Sequence, residues 1–329
     1  MAEMAIQVRD LVKSYPRGVR ALDGLSFVVP EGTLFGLLGP NGAGKSTAVR
    51  ILSTLARADS GQALVAGYDV VRQATEVRRR IGLVGQRLSA VPTATVRENV
   101  LLQGRMFGLK GRALATRTDE VLSMLALSDV AGRQAGFCSG GMKRRVDIAM
   151  GIVHRPRVLY LDEPTTGLDP DIRVQLWSDL TALVRQEGIT ILLTTHYLEE
   201  ADALANDIAI IDSGRIVTTG SPETLKQKLR GDTLQVEFES DQSEEAIRGA
   251  LAGLDGLDEI RVDGRRLHAR APIGGAAVPV VLARLGQEAM AVRSVSVSQP
   301  TLDDVYLAYT GRRFATQADA GASAGGQSS

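Results

Sequence analysis

Short apolar runs without polar alternation recur along the first part of the chain. One run, at 32–38, ends in a turn of Gly, Pro and Asn, after which a helix is predicted at about 45–55. Similar runs lie at 158–161, 189–193 and 208–211. Because strands that are buried on both faces of a parallel sheet have this pattern, the sequence predicts an α/β domain built on such a sheet.

Between these runs, from about 95 to 153, the apolar residues recur at helical spacing. Spacings of three and four place such residues on one face of a helix. The residues are Leu101, Leu102, Met106, Leu109, Val121, Leu122, Leu125 and Leu127. A helical subdomain is therefore expected as an insertion in the α/β domain.

The composition changes near Arg230, so a first domain is expected at 1–230 and a second at 231–313. The predicted strands of the second segment are 234–239, 259–262, 266–270 and 292–297, and its predicted helices are 243–254, 278–285 and 301–309. The order of the first six elements, strand-helix-strand-strand-helix-strand, suggests a small α+β domain of ferredoxin-like topology. Residues 314–329 are mostly Ala, Gly, Ser and Gln, and a disordered tail is expected there.

Composition and charge narrow the class of protein. The 329 residues are 44% hydrophobic, which is enough for about two domains with buried cores. Because 38 Lys and Arg residues balance 38 Asp and Glu residues, the chain is not expected to bind nucleic acid by bulk charge attraction. A single cysteine, Cys138, excludes an internal disulfide framework. No stretch approaches the ~18 apolar residues of a membrane-spanning helix, and residues 1–9 lack the apolar core of a signal peptide, so a cytoplasmic protein is expected.

A glycine-rich loop joins the first apolar run to its helix. Its sequence is Gly39-Pro40-Asn41-Gly42-Ala43-Gly44-Lys45-Ser46, with Thr47 next, and it matches the P-loop pattern between a predicted strand and a predicted helix. The glycines let backbone N–H groups turn towards phosphate oxygens, and the helix N-terminus adds partial positive charge. Lys45 is expected to neutralise the β- and γ-phosphates, and Ser46 to coordinate Mg²⁺.

Two adjacent carboxylates, Asp162 and Glu163, close one of the buried runs. Asp162 suits the coordination of Mg²⁺, and Glu163 suits the polarisation of an attacking water molecule. Taken alone, the pair could equally begin a solvated helix before Pro164. A P-loop in the same chain favours the chemical interpretation.

A third motif opens the last helix of the predicted helical subdomain. Ser139 suits a helix N-cap, and Gly140 and Gly141 leave the amides of that helix open to close approach. Three basic residues follow in the first turn: Lys143, Arg144 and Arg145. Their charges are unfavourable at a helix N-terminus, which is itself positive, so either a phosphate or nearby carboxylates are expected to compensate them.

The order of these motifs and of four further residues resembles the nucleotide-binding subunit of an ABC transporter. The four are Tyr15, Gln86, Asp169 in Gly167-Leu168-Asp169, and His196 in Thr194-Thr195-His196. The resemblance implies an ABC cassette of the P-loop NTPase fold, with a RecA-like core and the helical subdomain. It implies that Tyr15 stacks on the adenine of ATP and that Asp169 contributes to the nucleotide site. It also implies that Gln86 coordinates the metal and takes part in catalysis. His196 and Lys45 are implied to stabilise the charge that develops during hydrolysis.

The same resemblance implies the partners. Two copies of the chain are expected to pair head to tail, with ATP between the P-loop of one copy and Ser139, Gly140 and Gly141 of the other. An ABC-2-type membrane subunit is expected to contact the helical insert and the Gln86 region. That subunit would hold the chain at the cytoplasmic face of the cell membrane.

Two departures from the family's LSGGQ signature concern its first and last positions. Cys138 stands in place of Leu, and Met142 stands in place of Gln. The serine and both glycines, which are expected to face phosphate, are retained. A role for the signature glutamine side chain therefore does not carry over to this chain.

Two segments narrow the resemblance to the daunorubicin-resistance type, whose members carry a small extra domain after the cassette. These segments are 139–147 and 299–307. The narrower resemblance implies an ATPase that energises the export of hydrophobic drugs such as anthracycline-type antibiotics. Export of a lipid or a polysaccharide, or a regulatory role outside transport, remains open from the sequence alone.

Overall fold

The structure is a computed structural model that describes residues 3–229, 231–254, 256–311 and 314. It divides into two compact units, of which the first runs to Pro222 and the second from Glu223 to Arg313. This division lies a little before the boundary at 230 that the composition predicts. Residues 315–329, nearly all of the predicted tail, lie outside the described residues.

The first unit contains both strands and helices. Its strands are β1 (Met4–Tyr15), β2 (Val19–Pro30), β3 (Leu34–Leu38), β4 (Ser60–Val65), β5 (Tyr68–Asp69), β6 (Ile81–Val84), β7 (Val158–Asp162), β8 (Thr190–Thr195), β9 (Asp207–Asp212) and β10 (Arg215–Gly220). Its helices are α1 (Lys45–Leu52), α2 (Ala74–Arg80), α3 (Val96–Met106), α4 (Gly111–Met124), α5 (Gly140–Ile152), α6 (Pro170–Glu187) and α7 (Leu198–Leu204).

The second unit begins with helix α8 (Pro222–Lys228), whose first residue is at the division. Its remaining elements are β11 (Asp232–Phe238), α9 (Glu244–Ala250), β12 (Asp258–Asp263), β13 (Arg266–Ala271), α10 (Gly274–Gln287), β14 (Val292–Ser298) and α11 (Leu302–Thr310). None of the helices in the described residues combines the length and the apolar character needed to cross a bilayer.

A mainly parallel sheet forms the centre of the first unit. Among the described residues its strand order is β10-β9-β3-β8-β7-β6, and only the edge strand β10 runs antiparallel to its neighbour. Every residue of β3 and of β8 is buried, because both faces of the sheet are covered. The buried strands predicted at 158–161, 189–193 and 208–211 are therefore confirmed as β7, β8 and β9.

One face of the parallel sheet shares a core with a second, antiparallel sheet of order β2-β1-β4-β5. Phe27 of β2 stacks on Phe35 of β3, with 5.6 Å between the ring centroids. Val49 and Leu52 of α1 join this core. The antiparallel sheet is thereby held beside the start of α1, where the P-loop ends.

The other face is covered by the predicted helical insert, which is confirmed as α3, α4 and α5, and by α6. Buried side chains of all four helices pack with β7 and β8 in one core. The insert begins with a capping box, in which Thr95 Oγ1 accepts from the Glu98 N–H and Glu98 accepts from the Thr95 N–H. Buried Arg117 of α4 donates to Glu187 at the end of α6, at 2.7 Å, so the insert is fastened to the parallel core.

The second unit has the ferredoxin-like topology that the order of its elements suggests. Among its described residues the sheet order is β12-β13-β11-β14, and each neighbouring pair is antiparallel. Alternate residues of β11, Leu234, Val236 and Phe238, are buried against Ile247 of α9 and Val281 of α10. The alternation shows that these two helices cover one face of the sheet.

Candidate functional site

The P-loop connects the carboxyl end of β3 to the start of α1. Gly44, the last residue before the helix, has a φ of +108°, and a Cβ there would lie 2.4 Å from the Ala21 carbonyl oxygen. Gly42 has a φ of +84°. Side chains other than glycine rarely adopt such angles, so these two positions hold the loop in its turn.

A cavity of about 210 Å³ lies in front of this loop. The predicted phosphate-binding residues that line it are Pro40, Asn41, Gly42, Gly44, Lys45, Ser46 and Thr47. Gln86, Glu163 and Ala21 complete the lining, and Gly39 and Ala43 are not among the lining residues. The structure therefore brings Gln86, which lies far from the P-loop in sequence, to the predicted phosphate site.

Lys45, the first residue of α1, has a side chain that is only 4% exposed. Its Nζ donates to the carbonyl oxygens of Gly39, at 2.6 Å, and Pro40, at 3.1 Å, and lies 3.4 Å from Glu163 Oε1. Burial lowers the pKa of Lys45, and the negative charges of Glu163 and Asp162 oppose this shift. The amino group thus lies at the edge of the cavity and is shielded from water. Its charge therefore acts more strongly on a bound phosphate than it would in solvent.

The last residue of β7, Asp162, meets the P-loop helix through Ser46. Asp162 Oδ1 accepts from Ser46 Oγ at 3.2 Å and from Thr194 Oγ1 of β8 at 2.6 Å. Hydroxyl and carboxylate oxygens are ligands that Mg²⁺ prefers, and it commonly takes its other ligands from phosphates and water. Across the residues described, no three His, Cys, Asp or Glu side chains group as a metal cluster. The Ser46 and Asp162 oxygens therefore fit an Mg²⁺ ion that phosphates help to hold.

Glu163 lies directly beyond β7 in a strained backbone conformation. Its φ of +50° lies in the left-handed region, which costs a non-glycine residue on the order of 1–3 kcal/mol. Its N–H donates to both the carbonyl oxygen and the hydroxyl oxygen of Thr194, at 3.1 Å each. Its carboxylate lies 3.4 Å from Lys45 Nζ and 3.3 Å from Nδ1 of His196. The turn therefore places this carboxylate between the two residues that the resemblance assigns to charge stabilisation.

The remaining predicted residues lie outside the cavity. Ser139 and Gly140 are exposed at the start of α5, and Ser139 Oγ accepts from the Met142 N–H, which confirms the predicted N-cap. Asp169 is exposed at the N-terminus of α6. Tyr15 is partly exposed at the end of β1, and the Lys13 amino group lies 5.7 Å from its ring centroid. The nucleotide roles of these residues stay predictions.

Two of the three basic residues after the signature, Arg144 and Arg145, have different surroundings. Arg145 pairs with Asp179 of α6 at 2.7 Å, so compensation by a carboxylate is confirmed there. Among the described residues Arg144 forms no ion pair of this kind: its hydrogen bonds go to backbone carbonyls of two loops, and its charge is compensated at longer range by the carboxylates of Asp147, Asp162 and Glu200. Arg144 and Thr194 both lie within the sequence motifs, but the motifs do not reveal what their side chains bind near the site. Their hydrogen bonds depend on segments that are distant in the chain.

Family models match two parts of the chain. Residues 22–166 match the ABC transporter model, and residues 220–310 match the C-terminal domain of ATP-binding proteins of the DrrA1-3-like kind. The second match covers most of the ferredoxin-like unit.

Individual proteins are similar over nearly the full length. The daunorubicin resistance ATP-binding protein DrrA2 of Streptomyces coeruleorubidus is 45% identical over 310 residues, which are 94% of this chain and 96% of that protein. The linearmycin resistance ATP-binding protein LnrL of Bacillus subtilis is 34% identical over 93% of this chain and 98% of its own length.

Solved structures share the fold of the first unit. A subunit of the cbiONQ ABC transporter complex of Clostridium perfringens, cbiO1, has a TM-score of 0.64 and 26% identity over 77% of this chain and 96% of its own. A dimeric ATP-binding cassette solved after hydrolysis, with ADP and Pi bound, has a TM-score of 0.59 and 26% identity over 66% of this chain and 98% of its own. Through these similarities in sequence and fold, the chain belongs to the ATP-binding proteins of the ABC transporter family, in the group that carries the DrrA1-3-like C-terminal domain.

Proposed function

We propose that the chain is the ATPase subunit of an exporter for hydrophobic drugs such as anthracycline-type antibiotics. One observation carries the enzymatic part: Lys45 at the start of α1 and His196 after β8 each lie within 3.4 Å of the Glu163 carboxylate beside the P-loop. A carboxylate, a cation and an imidazole at a phosphate-binding loop suit the hydrolysis of a phosphoanhydride bond. The transport part is supported by relatives whose names refer to antibiotic resistance.

Hydrolysis would proceed mainly by positioning and electrostatics. Glu163 would orient a water molecule in line with the γ-phosphate and accept its proton. Lys45 and His196 would stabilise the negative charge that develops on the phosphoryl oxygens. Asp162 and Ser46 would hold Mg²⁺, which supplies neutralisation of phosphate charge when bound.

A second copy of the chain would complete the site. Ser139 and Gly140 are exposed and are not among the residues that line the P-loop cavity. Their amides at the N-terminus of α5 suit an anion, so a partner cassette could supply them to the far side of the γ-phosphate. A similar cassette has been solved as a dimer with the products of hydrolysis, which supports this arrangement.

The membrane partner would be an ABC-2-type subunit that docks beside Gln86. Two apolar side chains of the loop after Gln86 are exposed, Leu88 by 49% and Val91 by 43%. Leu102 and Met106 of the neighbouring helix α3 are exposed by 51% and 74%. An apolar surface of this kind suits a protein interface, through which the chain would be held at the cytoplasmic face of the membrane.

We expect Glu163→Gln to abolish ATP turnover while it leaves ATP binding intact, because the amide cannot accept the proton but preserves the shape of the side chain. ATP should then hold the variant as a dimer, measured by size-exclusion chromatography with light scattering. Glu199→Gln, which alters an exposed acid on α7, is the matched control and should hydrolyse ATP normally. Normal turnover by Glu163→Gln would disprove the assigned mechanism.

Isolated heterodimers test the head-to-tail arrangement. When a Lys45→Ala chain pairs with a Ser139→Arg chain, one site carries both defects and the other carries neither, so ATPase activity should reappear. When a wild-type chain pairs with a chain that carries both substitutions, each site carries one defect and activity should stay lost. Heterodimers purified through two different affinity tags allow the comparison. Equal activity of the two heterodimers would contradict sites shared between chains.

We expect Val91→Asp to weaken binding of the membrane subunit without loss of the fold. The backbone of Val91 is held by Asn99, whose Oδ1 accepts from the Val91 N–H at 2.7 Å, while the side chain faces solvent. Val71→Asp is the matched control, since Val71 is also exposed, by 53%, but lies on another part of the unit. The measurement is co-purification with the membrane subunit from detergent. Equal retention of the two variants would contradict docking beside Gln86.

The transported compound is tested with the assembled complex in lipid vesicles. An anthracycline should raise ATP hydrolysis by the wild-type complex and should leave the Glu163→Gln complex inactive. Stimulation by a lipid or a polysaccharide, with no response to the drug, would instead support the alternative exporters. ATP hydrolysis by a chain that binds no membrane subunit would support a regulatory role.

A further inference from the structure

Arg144, on the helix that begins at the signature, has a buried guanidinium whose hydrogen bonds go to neither the P-loop nor the side chain of Asp162. Its side chain is 4% exposed. Its Nε donates to the Pro164 carbonyl oxygen at 2.7 Å, and its Nη1 donates to the Gly85 carbonyl oxygen at 2.7 Å. Nη2 donates to the carbonyl oxygens of Gln86, at 3.3 Å, and Glu163, at 3.4 Å. One planar group thus ties the loop after β6 to the loop after β7.

Asp147, one turn further along α5, holds the other end of the loop after β6. Its Oδ1 accepts from the N–H of Ser89 at 3.1 Å, from the Ser89 hydroxyl at 2.9 Å and from the N–H of Ala90 at 3.0 Å. Its side chain is 2% exposed. The segment 85–90 is therefore fastened to α5 at both ends, by opposite charges that lie on one face of the helix.

Burial lowers the pKa of Arg144, and the carboxylates of Asp147, Asp162 and Glu200 oppose this shift. A fork of donors on a charged group can serve several carbonyls at once, which an ammonium group cannot do in the same geometry. The four hydrogen bonds therefore require an arginine, so replacement of Arg144 by lysine keeps the charge but should lose most of these bonds.

The Glu163 turn explains why this link matters to the site. Glu163 has a φ of +50°, and such a conformation persists only where the surroundings hold it. On its amide side the turn is held by Thr194. On its carbonyl side Arg144 bonds to both Glu163 and Pro164. Movement of segment 85–90 would therefore pull on the same guanidinium that supports the strained glutamate.

We propose that Arg144 and Asp147 are positioning residues that couple segment 85–90 to Glu163. We call the two residues the α5 clamp. A protein that docks on the exposed Leu88 and Val91 would shift the segment, and the clamp would transfer this shift to the carboxylate that orients the attacking water. The inference rests on the proposed function, because it needs both ATP hydrolysis and a partner at this surface.

The clamp predicts a loss of kcat without a loss of nucleotide binding. Arg144→Lys should lower kcat on the order of 10- to 100-fold, the scale expected when a reacting group is misplaced by about an ångström. The KM for ATP should stay within a factor of about two, because Arg144 bonds to no residue of the P-loop and reaches Gln86 only at its backbone carbonyl oxygen. Stimulation of hydrolysis by the membrane subunit should fall to a ratio near one. Arg145→Lys, beside it on α5, is the matched control and should keep both kcat and stimulation.

Asp147 supplies an independent test of the same link. Asp147→Ala should expose the amides of Ser89 and Ala90 to hydrogen exchange and lower the stimulation ratio. Asp147→Asn keeps an oxygen acceptor in place and should restore the protection of these amides and part of the stimulation. The comparison of Asp147→Ala with Asp147→Asn tests the clamp even if Arg144→Lys does not fold. A rescue by asparagine would distinguish a positioned oxygen from a general loss of stability.

Repeating the substitution in the Glu163→Gln variant separates an effect on the position of Glu163 from an effect on ATP binding. In Glu163→Gln, adding Arg144→Lys should leave ATP affinity and the ATP-held dimer unchanged, since the clamp acts through the glutamate. Wild-type kcat and stimulation in Arg144→Lys, or a parallel loss of ATP affinity and thermal stability, would overturn the clamp. A wild-type complex that neither hydrolyses ATP nor responds to its membrane subunit would instead overturn the proposed function.

Discussion

The buried charge of Lys45 is the constraint on which the geometry of the first unit depends. Moving a charged amino group out of water costs free energy unless nearby groups compensate its charge. Here the compensation comes from two P-loop carbonyls and from the carboxylate of Glu163, which lies directly after β7. The P-loop and the end of β7 therefore have to meet at one point. His196 joins them there from the end of β8.

The parallel sheet makes this meeting possible. Strands β3, β8 and β7 are neighbours, so the segments that follow them emerge at the same edge. β8 lies between the other two, and its Thr194 reaches the side chain of Asp162 and the backbone of Glu163. One threonine on the middle strand thus orients the predicted metal ligand and stabilises a turn that strain would otherwise open. Catalytic geometry here is a consequence of strand order.

Helix α5 extends the site beyond the sheet. Its N-cap is the exposed Ser139, which suits contact with a second cassette, and the helix carries Arg144 and Asp147 towards the loops after β6 and β7. The same helix also packs in the core that the insert shares with the sheet. A rigid element of this kind would join the three proposed events, which are separate in space: pairing of cassettes, docking of a membrane subunit and orientation of the attacking water.

The sequence by itself determined the elements and the chemical groups of the site. Lys45 and Ser46 stand at fixed spacing in one loop, Asp162 and Glu163 end an unbroken apolar strand, and the order of elements after 230 indicated the ferredoxin-like unit. Such features are local, so residue types and spacing suffice to reveal them. The tertiary structure alone decided that Arg144 bonds to carbonyls 58 and 59 positions away, and that Glu163 adopts a left-handed turn. Backbone carbonyls are the same in every residue, so hydrogen bonds to them leave no pattern in the sequence, and only the folded chain brings the partners together.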